Sequence, residues 1–248
     1  MSQQNLVEVF EDTKQQVLSG TIKPTAVTLK KRMDMMGIPI ARNYITEVSI
    51  QNTDTVSAAQ ALSGTGKTAV LNMASPTRPG GGVINGARAQ EECLFRCSDL
   101  FATIDGQYYP LTNDEGLYTT NAIFFKDKDY NNAIPFVSDV ITVAALNLTD
   151  EQVGVISYMD TTVAKVRLIL QLANENGVEN LVLGAWGCGV FKNSPRTIAE
   201  LFMQELKPYI GCFKQVVFAV INDHNSVGDN FDVFQDVIEY RKKGLSRI

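Results

Sequence analysis

Paired carboxylates behind a glycine triplet are the first residues in this chain whose type and spacing suggest chemistry. The segment runs from Asn72 through Ser75-Pro76 and Pro79 to Gly80, Gly81 and Gly82, then seven residues later reaches Gln90-Glu91-Glu92. A buried apolar strand leads into it and a helix opens at its end. Glycines lack a Cβ, so their backbone can approach a ligand closely and take positive φ, although three glycines alone are also an ordinary flexible turn. Acidic residues in a first helical turn likewise complement the helix dipole without any chemistry. Neither reading explains why triplet and carboxylates sit together at the C-terminal end of a strand, where α/β sheets place their ligands. A second loop of the same character is Leu183-Gly-Ala-Trp-Gly-Cys-Gly-Val-Phe-Lys-Asn-Ser-Pro195. Its backbone N–H groups could cradle a diphosphate; a tight strand-to-helix turn with Phe191 in the core is the plainer alternative.

Other chemistries are excluded by composition. The 248 residues contain one histidine, His224, so no site needing several histidine ligands can be built. Any Ser-His or Cys-His nucleophile would have to use that residue, which reads as a polar loop residue. Lys+Arg number 22 against 27 Asp+Glu, a net charge of −5 that argues against a general nucleic-acid binder but not against a local anion site. Cys93, Cys97, Cys188 and Cys212 form no C-x-x-C pair, and the polar, acidic start is unlike a signal peptide, so a cytoplasmic protein with reduced thiols is expected. The apolar runs are too short to span a membrane. Ala61-Leu-Ser-Gly-Thr-Gly-Lys-Thr68 fits a permissive phosphate-loop pattern. A true phosphate loop follows a strand and opens a helix. Here a helix precedes and a strand follows, so a Gly-rich turn with Lys67 in solvent is the expectation. Cys93 and Cys97, four apart, read as core-facing residues rather than a metal pair, and Trp186 as core rather than an adenine platform.

The elements that must position these loops alternate along the chain. Residues 3–19 pattern as an amphipathic helix stopped by Gly20, and 26–29 and 47–50 as short strands. A helix over 54–62 precedes a strand over 68–74, and another helix covers 90–101. Strands are expected at 122–125 and 140–146, a helix at 161–174, a strand at 181–183. Ser194-Pro195 supplies an N-cap and first-turn proline for a helix to 206, before a strand at 216–221 and a closing helix at 231–240. This alternation indicates an α/β three-layer sandwich. Residues 1–50 read as a mostly helical N-terminal extension packed on a single core, 51–248.

The block Gly-Gly-Gly, seven residues, Gln-Glu-Glu resembles the signature of the smaller, microbial type of poly(ADP-ribose) glycohydrolase, and the 183–195 block resembles that family's second ligand loop. Val217 to Asp223 and Asn230-Phe231 are similar to its last strand and helix. The resemblance implies a macrodomain-like α/β/α fold with a mixed sheet. It implies an enzyme that cleaves ribose–ribose bonds of poly(ADP-ribose), with Glu92 as acid/base and Glu91 holding ribose hydroxyls. Gln90 would fix the loop. Gly80, Gly81, Gly82 and the 187–191 loop (Gly187, Cys188, Gly189, Val190, Phe191) would enclose the diphosphate, with Phe191 restraining the ribose. Ser75 and Asn85 would add polar contacts; Arg78 and Arg88 could favour a polyanion or be solvated loop arginines. A raised pKa would keep Glu92 protonated before catalysis. No metal or cofactor is implied. The implied partners are ADP-ribose, its polymer and ADP-ribosylated macromolecules. The alternatives are a mono(ADP-ribosyl) hydrolase of the same fold and a non-catalytic ADP-ribose reader, against which the presence of both glutamates argues.

Overall fold

In the central strands, successive side chains serve two different cores. Ala69 and Leu71 of strand β3 (Thr68–Met73) point to one face, and Val70 between them points to the other. The same alternation places Ile141 and Val143 against Val140 in β5 (Asn132–Val143), and Leu181 and Leu183 against Val182 in β6 (Asn180–Leu183). A strand apolar on both sides must be covered on both sides. Helices α4 (Val155–Glu175), α5 (Pro195–Glu205) and α6 (Asn230–Leu245) cover one face, and α1 (Gln3–Leu18), α2 (Thr55–Leu62) and α3 (Gln90–Cys97) the other. The result is a three-layer α/β/α sandwich. The computed structural model describes residues 1–34, 37–149, 155–222 and 229–245; His224 and Asp223 lie outside them.

With β1 (Val27–Arg32), β2 (Glu47–Gln51), β4 (Glu115–Lys126) and β7 (Gln215–Ala219), the seven strands order as β1-β4-β5-β3-β6-β7-β2. The pairs β1–β4 and β4–β5 are antiparallel and the remainder parallel, so the sheet is mixed. Both edge strands come from the N-terminal fifty-one residues. Thr28 pairs Thr119 at one edge and Val48 pairs Val216 at the other. The division expected at residue 50 therefore falls inside β2, and this segment is stitched into the sheet at both ends. No helix among the described residues is long and apolar enough to cross a membrane.

Two elements differ from expectation. The helix expected over 90–101 stops at Cys97 because Ser98 takes extended backbone (φ −141°, ψ 177°), returns its Oγ to Leu94 O at 2.7 Å and bridges to Phe124. Asp99 then accepts from Ile123 N at 2.9 Å, so α3 ends by joining the sheet. The short strands expected at 122–125 and 140–146 are parts of two twelve-residue strands. Their register shifts between Thr119 and Ala122 and again between Phe124 and Lys126, with Asn121 at φ 54°. Such bulges bend a strand and break its alternation.

Helix α1 is tied to α3 and β4 by buried polar groups. Thr13 donates its hydroxyl to Arg96 O at 2.6 Å, and Lys126, itself buried, pairs with Asp12 at 2.6 Å. The fully buried Arg96 donates to Leu6 O in α1 at 3.1 Å and to Ala87 O in the glycine loop at 2.8 Å.

Candidate active site

Strands β3 and β6 are adjacent and parallel, so the loops leaving their C-terminal ends emerge side by side. The first contains the glycine triplet and opens α3; the second is the 184–194 loop, which opens α5 with Ser194 capping Thr197 N. Beyond Val70, β3 has no β6 residue opposite it. The Gln90 side-chain amide fills that gap in the ladder, accepting from Met73 N at 2.9 Å and donating to Leu71 O at 2.7 Å. A third bond, to Thr55 Oγ1 at 3.2 Å, ties it to α2. The start of α3 is thereby fixed against the strand end.

Both carboxylates are buried, Glu91 at 3% and Glu92 at 6% exposure. Glu91 accepts from Ser75 N at 2.7 Å, Gly80 N at 3.2 Å and Asn72 Nδ2 at 3.4 Å, so it clasps the strand end to the glycine loop. Burial pushes its pKa up from 4.5 to about 8, reinforced by the Glu92 charge and opposed by those three donors. Glu92 accepts from Gly82 N at 2.8 Å through Oε1, while its buried Oε2 has no partner among the described residues. Gly81 lies between the two carboxylates at φ 53°, too close to both for a Cβ.

The two loops wall a cleft of about 960 Å³, a size usual for small-molecule sites. Of the residues anticipated from sequence, Ser75, Gly81, Gly82, Gln90, Glu91, Glu92, Gly187, Gly189, Val190 and Phe191 line it. Gly80, Asn85 and Cys188 do not. Gly80 is buried against Phe95, Asn85 is exposed on a short 3₁₀ turn, and Cys188 is buried with its Sγ near Trp186 O. Arg78 and Arg88 also reach the cleft. The far walls come from residues not expected from sequence: Asn52 and Asp54 after β2, Val220 and Ile221 after β7, and Lys128 and Tyr130 from the β4–β5 turn. These come from elements distant in sequence, and only the general rule about strand ends points to the first four.

The second loop holds its shape from beneath. Asn193 donates its amide to Leu146 O at 2.8 Å and Gly187 O at 3.0 Å, and Gly187 sits at φ 74° where a Cβ would strike Ala145 and Asn193. The backbone N–H groups of Gly189, Val190 and Phe191 make no hydrogen bond to the described protein. Donors on a turn of this kind suit an anion. Phe191 is half-buried against the core and also faces the cleft. Trp186 is fully buried with its indole N–H on Val143 O at 2.9 Å. Among the described residues, no cluster of three His, Cys, Asp or Glu side chains is placed to hold a metal.

The Gly-Lys turn at 64–67 is elsewhere. It connects α2 to the N-terminal end of β3, and Lys67, half-exposed, pairs with the buried Asp139 at 3.1 Å. Lys67 is exposed, as expected, and the ion pair adds a partner for its ammonium group.

A macrodomain-like α/β/α sandwich with a glycine-walled cleft and a buried carboxylate pair is the class defined by this fold and site. Residues 9–127 match the family model described as microbial-type PARG, catalytic domain. Among solved structures, a poly(ADP-ribose) glycohydrolase from Thermomonospora curvata, bound to the inhibitor ADP-HPD, is 27% identical with a TM-score of 0.80, covering 94% of this chain and 99% of that one. One from Deinococcus radiodurans in complex with ADP-ribose is 26% identical with a TM-score of 0.74, covering 96% and 91%. No curated protein sequence matches the chain at comparable significance. The family match, over just under half of the chain, and these likenesses over nearly all of it make the chain similar to microbial-type PARG.

Proposed function

We propose that the chain hydrolyses the ribose–ribose O-glycosidic bonds of poly(ADP-ribose), releasing ADP-ribose, with Glu92 as general acid and base. The observation that carries this reading is the Glu92 carboxyl itself. One oxygen is fixed by Gly82 N–H, and the other, buried and without a partner among the described residues, lies in the wall of the cleft. An unsatisfied buried oxygen costs on the order of 1–3 kcal/mol unless a ligand supplies its partner. The bridging oxygen of a ribosyl leaving group is such a partner when the acid is protonated.

The reaction follows from that placement. Glu92 gives its proton to the bridging oxygen as the bond from that oxygen to the ribose anomeric carbon breaks, leaving oxocarbenium character on the sugar. The resulting carboxylate takes a proton from water as the water oxygen bonds to the anomeric carbon, restoring the acid. The diphosphate would lie between the glycine loop and the free amides of Gly189, Val190 and Phe191, close enough to stabilise the developing cation. Phe191 would limit movement of the ribose. Glu91, with both oxygens accepting from the loop and strand end, acts as a positioning residue rather than a ribose ligand.

The test is an assay on poly(ADP-ribosyl)ated and mono(ADP-ribosyl)ated acceptors with the wild-type chain and Glu92→Gln. The expected outcome is polymer cleavage that falls by about 10²–10⁴-fold in the variant, with ADP-ribose binding retained. Release from the mono-modified acceptor alone would shift the reading to a mono(ADP-ribosyl) hydrolase. Binding without release from either would leave an ADP-ribose reader.

A further inference from the structure

Immediately after Glu92, Cys93 and Cys97 occupy one face of α3, a helical turn apart. Cys93 is half-buried and lines the cleft, whereas Cys97 is buried, with its Sγ 3.2 Å from Asp127 O. Both cysteines belong to the same eight-residue helix, and Tyr130 lines the cleft beside Cys93. The remaining cysteines, Cys188 and Cys212, are both buried. Cys93 therefore combines access from the cleft with a second cysteine one turn along the same helix, and accessibility is one requirement of a reactive thiol. The Cys97 hydrogen bond draws the Cys93 thiol below its ordinary pKa, with burial opposing.

We propose that Cys93 and Cys97 form a peroxide-reactive dithiol in the cleft wall that closes to a disulfide and thereby disables the adjacent Glu92. The Cys93 thiolate attacks one oxygen of a hydroperoxide such as hydrogen peroxide, forming an S–O bond as the O–O bond breaks. The departing hydroxide takes a proton and leaves as water, and Cys93 is left as a sulfenic acid. The Cys97 sulfur then attacks the Cys93 sulfur. The S–O bond breaks, and the hydroxyl leaves as a second water with the proton that Cys97 gives up. Sulfur has lost two electrons in total and the peroxide has gained them; a thiol reductant reverses the step.

The helix end is where such a bond can form. Residues four apart on a regular helix have Cβ atoms about 5–6 Å apart, whereas a disulfide needs roughly 3.5–4.5 Å. The last turn must therefore move inward by an ångström or more. Cys97 is the last helical residue and Ser98 already has extended backbone, so the adjustment stays within that turn. It would pull Cys97 from Asp127 O and disturb Arg96, which anchors Ala87 in the glycine loop. Glu92, one residue from Cys93, would shift with it.

Intact-protein and peptide mass measurements on the full chain, before and after graded hydrogen peroxide, test the bond directly. The loss of activity rests on the glycohydrolase reading; the bond and its effect on ADP-ribose binding do not. Expected is a loss of two hydrogen masses in a peptide linking Cys93 to Cys97, with a drop in polymer cleavage of at least about tenfold that a dithiol reverses. In Cys97→Ser the same treatment should leave a dimedone-reactive sulfenic acid on Cys93, and no bridge. Cys212→Ser should behave as wild type. An unchanged mass at concentrations that oxidise a free thiol, or a bridge to Cys188 or Cys212, overturns the proposal. A Cys93–Cys97 bridge that leaves both cleavage and ADP-ribose binding unaltered overturns the link to Glu92.

Discussion

A methyl group at Gly81 would lie 2.6 Å from Glu92 Oε1 and 3.0 Å from Glu91 Oε2, on backbone at φ 53°. The left-handed region costs a non-glycine residue roughly 1–2 kcal/mol, which a domain of ordinary stability survives. The clash is a different matter, since it is relieved only by moving the carboxylate proposed to transfer the proton. Gly81→Ala is therefore expected to remain folded while polymer cleavage falls by about a hundredfold, as ångström-scale misplacement of a catalytic group does. Gly106→Ala, where a Cβ meets nothing and φ is not positive, is the matched control. Glu91 supplies a pH dependence. Its folded pKa of about 8 lies above the 4.5 of an ordinary carboxyl, so ionising it costs more in the folded chain than in the unfolded one. Its contribution to stability is whole below pH 4.5 and is lost as the pH rises through 8. Glu91→Gln should remove that part of the decline. Urea unfolding of both proteins at acidic and alkaline ends of this range checks it, because the fixed penalty of an amide facing a backbone N–H cancels in the comparison. An identical decline in the two would rule the assignment out.

At the level of elements, what could be read from sequence tracks how local the determining contact is. Asp54 caps α2 by accepting from Val56 N and Ser57 N, and Ser194-Pro195 starts α5, all within three residues, so those helix starts are visible in one dimension. The glycine triplet and Gln90-Glu91-Glu92 are legible for the same reason, since loop and helix start lie within thirteen residues. Strand β4 is legible only in part because its bulges interrupt the alternation at Thr119 and Phe124. Arg96 escapes notice altogether. Its buried guanidinium has carbonyl oxygens as its hydrogen-bond acceptors, and one of them, Leu6 O, is ninety residues away. Through that contact and Ala87 O, α1 supports the glycine loop; Gly86 in the same loop touches the backbone of Gln3 so closely that no Cβ fits. Arg96→Met keeps the volume but leaves Ala87 O without the Arg96 donor and removes the tie to Leu6 O, whose intrahelical bond remains. The expected loss is roughly 1–3 kcal/mol of stability, read as a lower urea midpoint. Faster amide exchange in α1 than in α5 would mark the loss as local to this support.

The whole molecule separates its polar clusters to the two ends of one sheet. The cleft lies at the C-terminal ends of β3 and β6, and the Lys67–Asp139 cluster at the N-terminal end of β3. Strand β3 spans only six residues between them, all but the last buried, in a closely packed interior. The cluster is structural in its own right. Asp139, buried, accepts from Tyr118 OH, from Asn121 N at 2.8 Å and from Lys67. It thereby fixes the bend where Asn121 takes positive φ and the β4–β5 register shifts. Losing one of three partners, the half-exposed one, leaves Asp139 still hydrogen-bonded, so Lys67→Ala should cost about 1 kcal/mol and lower Tm by roughly 2–4 °C. Polymer cleavage and ADP-ribose binding should match the wild type, since the cluster lies at the opposite end of β3 from the cleft and none of its residues lines the cleft. A phosphate-binding role for the Gly-Lys turn makes the opposite forecast, namely Mg-nucleotide binding in the wild type that the substitution abolishes. Calorimetric titration of both proteins with ADP-ribose and with Mg-ATP, beside a thermal melt, separates the two.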